Sequence, residues 1–313
     1  MSASSDNDWQ TARERGAGLW RILIIFYCYK ILGRQITRAI VGILFCCAFP
    51  FLRGPRRHSR DFLDKIAKIR GVPAKKYSSF RHLLTFTFSL LDKVAGWSQA
   101  IGMNKLAIKT DEGWQAINKV YHEKKGAFVV CSHLGNIELF RAAFLNDKIS
   151  KNLKINIVIA TAISSTFARA MQTINRNAGD RLIEVLTLGI DTAMILEEKI
   201  KRGEMIIMAG DRVLGRITSK TATTLPFLGV PADFPNGVFR FAASLDCPVF
   251  AIFTLPENDG GAIYVYELEN VPATTSARER AAQLQKQFVC RLESMALEHP
   301  YQWFNFFKFW KND

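Results

Sequence analysis

The chain has 313 residues, and its 42 Lys and Arg against 28 Asp and Glu give a formal net charge of +14. That length can bury one large α/β core or a core with an appendage. The charge favours an anionic partner (nucleic acid, an anionic bilayer surface or an acidic carrier protein) and says nothing about fold. Cys28, Cys46, Cys47, Cys131, Cys247 and Cys290 sit in apolar or helix-like runs without metal-ligand spacing. That usage suits small buried side chains in a reducing compartment better than a disulfide framework, and it implies no metal site.

Residues 1–16 are polar. Two apolar runs follow, Leu19–Leu32 and Ala39–Leu52, each shorter than the roughly 20 residues a helix needs to span a bilayer. Arg34 and Arg38 lie between them, and Arg53, Arg56, Arg57 and Arg60 follow closely. Apolar helices bracketed by arginines predict a membrane-associating segment over 1–58, with cations on lipid phosphates, ahead of a main domain over 59–313. A single tilted span and a buried helical hairpin are the alternatives.

Beyond it, Arg60–Ile69 and Tyr77–Trp97 read as amphipathic helices. From residue 111 the pattern alternates. Helices are predicted over 114–124, 136–145, 166–175, 190–201, 238–245 and 276–298. Strands are predicted at Ala127–Cys131, Ile155–Thr161, Glu204–Ala209, Val249–Thr254 and Ile263–Leu268. Apolar strands separated by helices imply an α/β fold with a mainly parallel central sheet covered by helices on both faces. The turn at Asp259-Gly260-Gly261 adds an antiparallel partner. Residues 216–237 form the longest stretch without helix or strand pattern, and Tyr301–Trp310 is an aromatic tail.

The chemistry concentrates at strand ends. His133 leaves the first strand through Ser132-His133-Leu134-Gly135, and Glu138 follows on the first turn of the next helix. Together they suit a general base and the carboxylate that orients it, while Gly135 leaves room for a substrate. Taken alone, the pair is more often a packed or capping histidine and a dipole-complementing glutamate. Asp211 and Arg212 leave the third expected strand. Arg212 suits a phosphate or a developing oxyanion, and Asp211 could hold Arg212 or His133. Asn236-Gly237 opens an apolar helix and offers backbone N–H groups to an anion. Nucleophile-elbow serine, P-loop, dinucleotide and zincin motifs are all missing.

The order of strand–SHLGNIE–helix, strand–GDR, and FLGVPADFPNG before a helix and strand resembles the lysophospholipid acyltransferase superfamily. Within it the chain is most similar to the bacterial lipid A late acyltransferases of the lauroyl/myristoyl type. Their histidine, four intervening residues and acidic residue are met by His133 and Glu138. Asp211 matches their strand-end acid. Arg176 and Arg181 are the candidates for a further arginine, and neither is a clear counterpart. Arg212 and the WFNFF ending look more like the branch found with aryl polyene and flexirubin pigment synthesis.

The resemblance implies a membrane-associated O-acyltransferase at the cytoplasmic face of a bacterial inner membrane. It implies acyl carrier protein or acyl-CoA as donor, an amphiphilic lipid acceptor and an anionic membrane as partners, and no cofactor or metal. Nucleic acid is not an expected partner, because the basic residues are spread along the chain. His133 and Glu138 would be catalytic; Asn136, Asp211, Arg212, Asn236 and Gly237 would bind substrate. A catalytically inactive lipid-binding protein is the rival reading.

Overall fold

The computed structural model describes residues 19–97, 106–137, 154–160, 182–185, 189–213, 217–257, 260–268 and 276–310. Residues 1–16, Glu138, Arg176, Arg181, the helix expected over 166–175 and most of the one expected over 136–145 lie outside them.

The two apolar runs form one element, α1 (Leu19–Ala48), broken at Gly33, where φ 75° and ψ 174° leave the helical region. Joined in this way they give a stretch, Leu23–Phe51, that is long and apolar enough to cross a membrane by length and composition. Neither run was long enough alone. Ile24, Ile31, Ile36, Ile43 and Leu44 stay exposed along it. Arg34 and Arg38, each about a third exposed, have a partner within the fold. They pair at 3.3 and 3.5 Å with the buried Asp92.

A short 3-10 turn leads to α2 (Arg53–Ile69), which buries Ser59, Phe62, Leu63, Ile66 and Ala67. Their spacing of three and four residues makes one apolar stripe facing the core. The boundary expected between residues 58 and 59 falls within this helix. Next comes α3 (Ser79–Trp97), which carries Asp92 and packs on both α1 and α2.

The main sheet takes β1 (Leu106–Ile108), β2 (Ala127–Cys131), β3 (Ile155–Ala160), β4 (Leu182–Val185), β5 (Met205–Ala209), β8 (Val249–Glu257) and β9 (Gly260–Leu268). Their spatial order is β1-β9-β8-β2-β5-β3-β4. Neighbours run parallel except β8 and β9, the antiparallel pair expected from the turn that joins them. Side chains alternate between faces, as the pleat requires. Ala127, Val129 and Cys131 meet Ile117 and Val120 of α4 (Asp111–His122). Phe128 and Val130 face the opposite layer with α2, α5 (Ile190–Lys201), α6 (Asn236–Ser244) and α7 (Ala277–Glu298). A mainly parallel sheet covered on both faces results.

Two features depart from the sequence reading. The stretch 216–237 contains a hairpin, β6 (Ala222–Phe227) and β7 (Val230–Pro235), turning at Leu228 and Gly229, both with positive φ. Pro226 and Pro231 stand opposite each other in it. A two-stranded ribbon tolerates residues without an N–H where a central strand would not. The edge strands β1 and β4 also went unforeseen. The aromatic tail lies on the domain, with Trp303, Phe304 and Trp310 buried. All six cysteines are free thiols; Cys131 and Cys247 are buried, whereas Cys46, Cys47 and Cys290 are exposed.

Candidate active site

β2 and β5 lie side by side with Cys131 opposite Ala209. Two residues beyond each strand, His133 and Asp211 therefore leave the same sheet edge together. His133 Nδ1 and Asp211 Oδ1 are 2.8 Å apart. A carboxylate only accepts, so Nδ1 carries the hydrogen and Nε2 the lone pair. Asp211 Oδ2 accepts two more bonds, from the His133 backbone N–H at 2.9 Å and from Trp303 Nε1 at 3.1 Å.

Asp211 is wholly buried, whereas about a third of the His133 side chain is exposed. Burial by itself would raise the Asp211 carboxyl. The His133 ring, its hydrogen bond, the Arg212 charge and the His133 N–H outweigh that and hold it at about 2. The carboxylate is thus ionised throughout the neutral range, placed to fix the imidazole tautomer and to tolerate an imidazolium. The orienting role expected of Glu138 concerns a residue outside the described ones; at Nδ1 the partner is Asp211.

Trp303 ties the tail to this edge. It pairs with Leu134 in an antiparallel bridge, and Phe304 N–H donates to the His133 carbonyl at 3.0 Å. Its indole is enclosed by Phe62, Phe227 and Phe309 at ring-centre distances of 5.0, 5.0 and 4.9 Å. Its carbonyl accepts from His82 Nε2 at 2.9 Å, and Ser59 Oγ sits 3.0 Å from His82 Nδ1. Burial pushes the His82 imidazole down to about 4, so it stays neutral. A hydrogen-bonded line therefore runs from Ser59 and His82 through Trp303 to Asp211 and His133.

Residues 86–312 match the family described as bacterial lipid A biosynthesis acyltransferase. The chain belongs to that family. No curated protein matches it as a relative. Membership makes it a lipid acyltransferase, an enzyme that takes an acyl donor and a lipid acceptor.

In this acyltransferase the turn's own N–H groups are committed. Leu134 N–H donates to Ser132 Oγ at 3.1 Å, Gly135 N–H to Gln302 O at 2.8 Å and Asn136 N–H to Thr254 O at 2.7 Å. All three N–H groups are thereby used within the fold. Gly135 leaves no space for substrate. Its φ is +80°, and a Cβ there would lie 2.0 Å from the Thr254 carbonyl oxygen. Glycine is needed so that the turn can bend against β8.

Arg212 faces the tail. Its Nη2 donates to Phe304 O and its guanidinium lies 5.2 Å from the Phe307 ring centre. Burial lowers its pKa to about 10, with Asp211 opposing the shift. It braces the tail through Nη2, while its buried Nε has no hydrogen-bond partner among the described residues. Asn136 is buried, and its carbonyl accepts from Thr254 Oγ1, stitching the turn to β8. Asn236 opens α6 with its side chain turned to the hairpin: Oδ1 accepts from Thr223 Oγ1, and Nδ2 donates to Ser219 O at 3.4 Å. Gly237 is the second residue of that helix. The structure thus brings together His133, Asp211 and Arg212, with Asn136 in support, and commits the Asn236 side chain to the hairpin. The residue that sequence reasoning missed is Trp303. It sits 92 positions from Asp211, and no local pattern links the two.

Proposed function

We propose that the protein is a membrane-associated O-acyltransferase at the cytoplasmic face of a bacterial inner membrane. It moves a fatty acyl group from acyl carrier protein, or from acyl-CoA, to a hydroxyl of a lipid A-like or other amphiphilic acceptor. The observation that carries this reading is the 2.8 Å bond between His133 Nδ1 and a buried, ionised Asp211. His133 Nε2 takes the acceptor's hydroxyl proton as its oxygen attacks the thioester carbonyl. The tetrahedral intermediate collapses to the ester, the C–S bond breaks, and the thiolate takes the proton from the imidazolium. Asp211 stabilises that cation from behind. Glu138, five positions along the sequence, is the proposed second carboxylate.

A narrower acceptor class, an aryl polyene lipid, is favoured by one contact. The two features that resemble the pigment-associated branch, Arg212 and the WFNFF ending, touch one another through Phe304 and Phe307.

The test is His133→Ala, assayed for thioester consumption with carrier-bound acyl donor. General-base help is typically worth about 10²–10⁴-fold, and a loss of that size is expected. Turnover at the wild-type rate would sink the assignment. Lipid profiles of cells with and without the gene would name the acceptor.

A further inference from the structure

The apolar segment ends at an open cleft of about 810 Å³. One wall is Phe49, Arg53, Arg56, Arg57 and Arg60, from the turn after α1 and the first two turns of α2; the other is Lys75 with Tyr77 to Phe80. All five cations are exposed. Arg60 is paired with Asp64, and Arg56 lies over the Phe49 ring at 4.6 Å. Among the described residues no ion pair engages Arg53, Arg57 or Lys75. The first turn of α2 adds to the positive field: it holds no acidic residue, and Leu52 offers no side-chain cap. None of His133, Asp211 or Asn136 lines the cleft, so it is separate from the catalytic edge.

We propose that this cleft seats the phosphate headgroup of an anionic bilayer phospholipid and fixes the depth at which the enzyme sits. Three facts select that occupant. Unneutralised cations gathered in a cleft need an anion, and guanidinium forks match phosphate oxygens. The cleft is continuous with the exposed apolar surface, because Phe51, 83% exposed, stands between α1 and Arg53. A headgroup bound here has its acyl chains beside the uncovered side chains of α1. This inference rests on the membrane association proposed above.

The test uses the full chain in co-flotation with phosphatidylcholine vesicles, with and without phosphatidylglycerol. It compares wild type, the triple variant Arg53→Gln/Arg57→Gln/Lys75→Gln, and a charge-matched control, Lys119→Gln/Arg278→Gln/Lys286→Gln, at exposed sites elsewhere. At roughly fivefold per basic residue near an anionic surface, the three cations without an ion pair should let phosphatidylglycerol strengthen wild-type binding on the order of a hundredfold. The triple variant should lose most of that gain, the control should keep it, and binding to phosphatidylcholine alone should not change. Equal losses in the two variants would reduce the effect to net charge and overturn the proposal. Wild-type binding that ignores phosphatidylglycerol would overturn it while leaving the membrane reading intact; no binding to either vesicle would overturn both. A triple variant that keeps its lipid preference but has a raised KM for the carrier thioester would reassign the cleft to the acidic carrier protein.

Discussion

Replacing Asp211 with Asn isolates the role of the charge. The carboxylate accepts three bonds: Oδ1 from His133 Nδ1, Oδ2 from His133 N–H and Trp303 Nε1. An amide offers one oxygen and one NH₂. The backbone N–H and the indole can only donate, so the oxygen must take the Oδ2 position and the NH₂ must face the ring. Nδ1 then becomes the acceptor, the hydrogen moves to Nε2, and the base is lost without a change of shape. The expected fall in kcat is about 10²–10⁴-fold, which is about 3–5.5 kcal/mol at 1.36 kcal/mol per tenfold. The stability cost should be smaller, about 1–3 kcal/mol, because all three contacts persist and only their charge assistance is lost. Thioester consumption under saturating acceptor, with a denaturant titration on the same preparation, separates the two. A variant that unfolds at the wild-type midpoint and turns over within threefold of wild type would refute the reasoning and transfer the orienting role to Glu138.

Two further perturbations follow the same line inward. Trp303→Phe keeps the ring's apolar packing and deletes the donor to Oδ2. It should lower kcat about tenfold, leave KM for the acceptor unchanged and shift the acid limb of the pH–rate profile; a KM effect alone would make Trp303 a packing residue only. His82 is neutral and buried with a pKa near 4, below the ordinary 6.5 of the unfolded chain. The unfolded state therefore binds the extra proton between those values. Stability should be complete above pH 6.5 and fall by about 3 kcal/mol as pH drops to about 4. Asp211, also depressed, adds a further loss only as pH falls from 3.8 towards about 2. Denaturant midpoints across pH 4–7, flat in His82→Asn and sloping in wild type, would check the first window.

Much of this was legible because parallel strands announce themselves. AFVVC, INIVIA and MIIMA are β-branched or apolar runs with helices between them, and each is a strand of the sheet. His133 and Asp211 were visible as strand-end residues. Their partnership was not, since it depends on β2 and β5 being neighbours, a fact of spatial order that the spacing along the chain leaves open. The hairpin was hidden by Pro226, Pro231 and Pro235, residues that normally argue against a strand, and by Leu228 standing at φ 53° where glycine or asparagine is usual. Gly135 was read as open space because a glycine looks the same whether it admits a ligand or a neighbouring backbone; only the Thr254 carbonyl decides. That Arg34 and Arg38 also pair with Asp92 was not legible, because it lies on a helix more than fifty residues away.

The lock that Trp303 places on Asp211 has a bearing on biosynthesis. Ninety-two residues separate the two, and at ribosomal rates of about 5–20 residues per second that interval lasts roughly 5–20 s. During it the nascent chain already presents α1 and both halves of the His133–Asp211 pair, yet lacks the indole that holds the acid in register. On the membrane reading proposed above, that interval would let the apolar segment meet a bilayer before the His133–Asp211 pair is held in register.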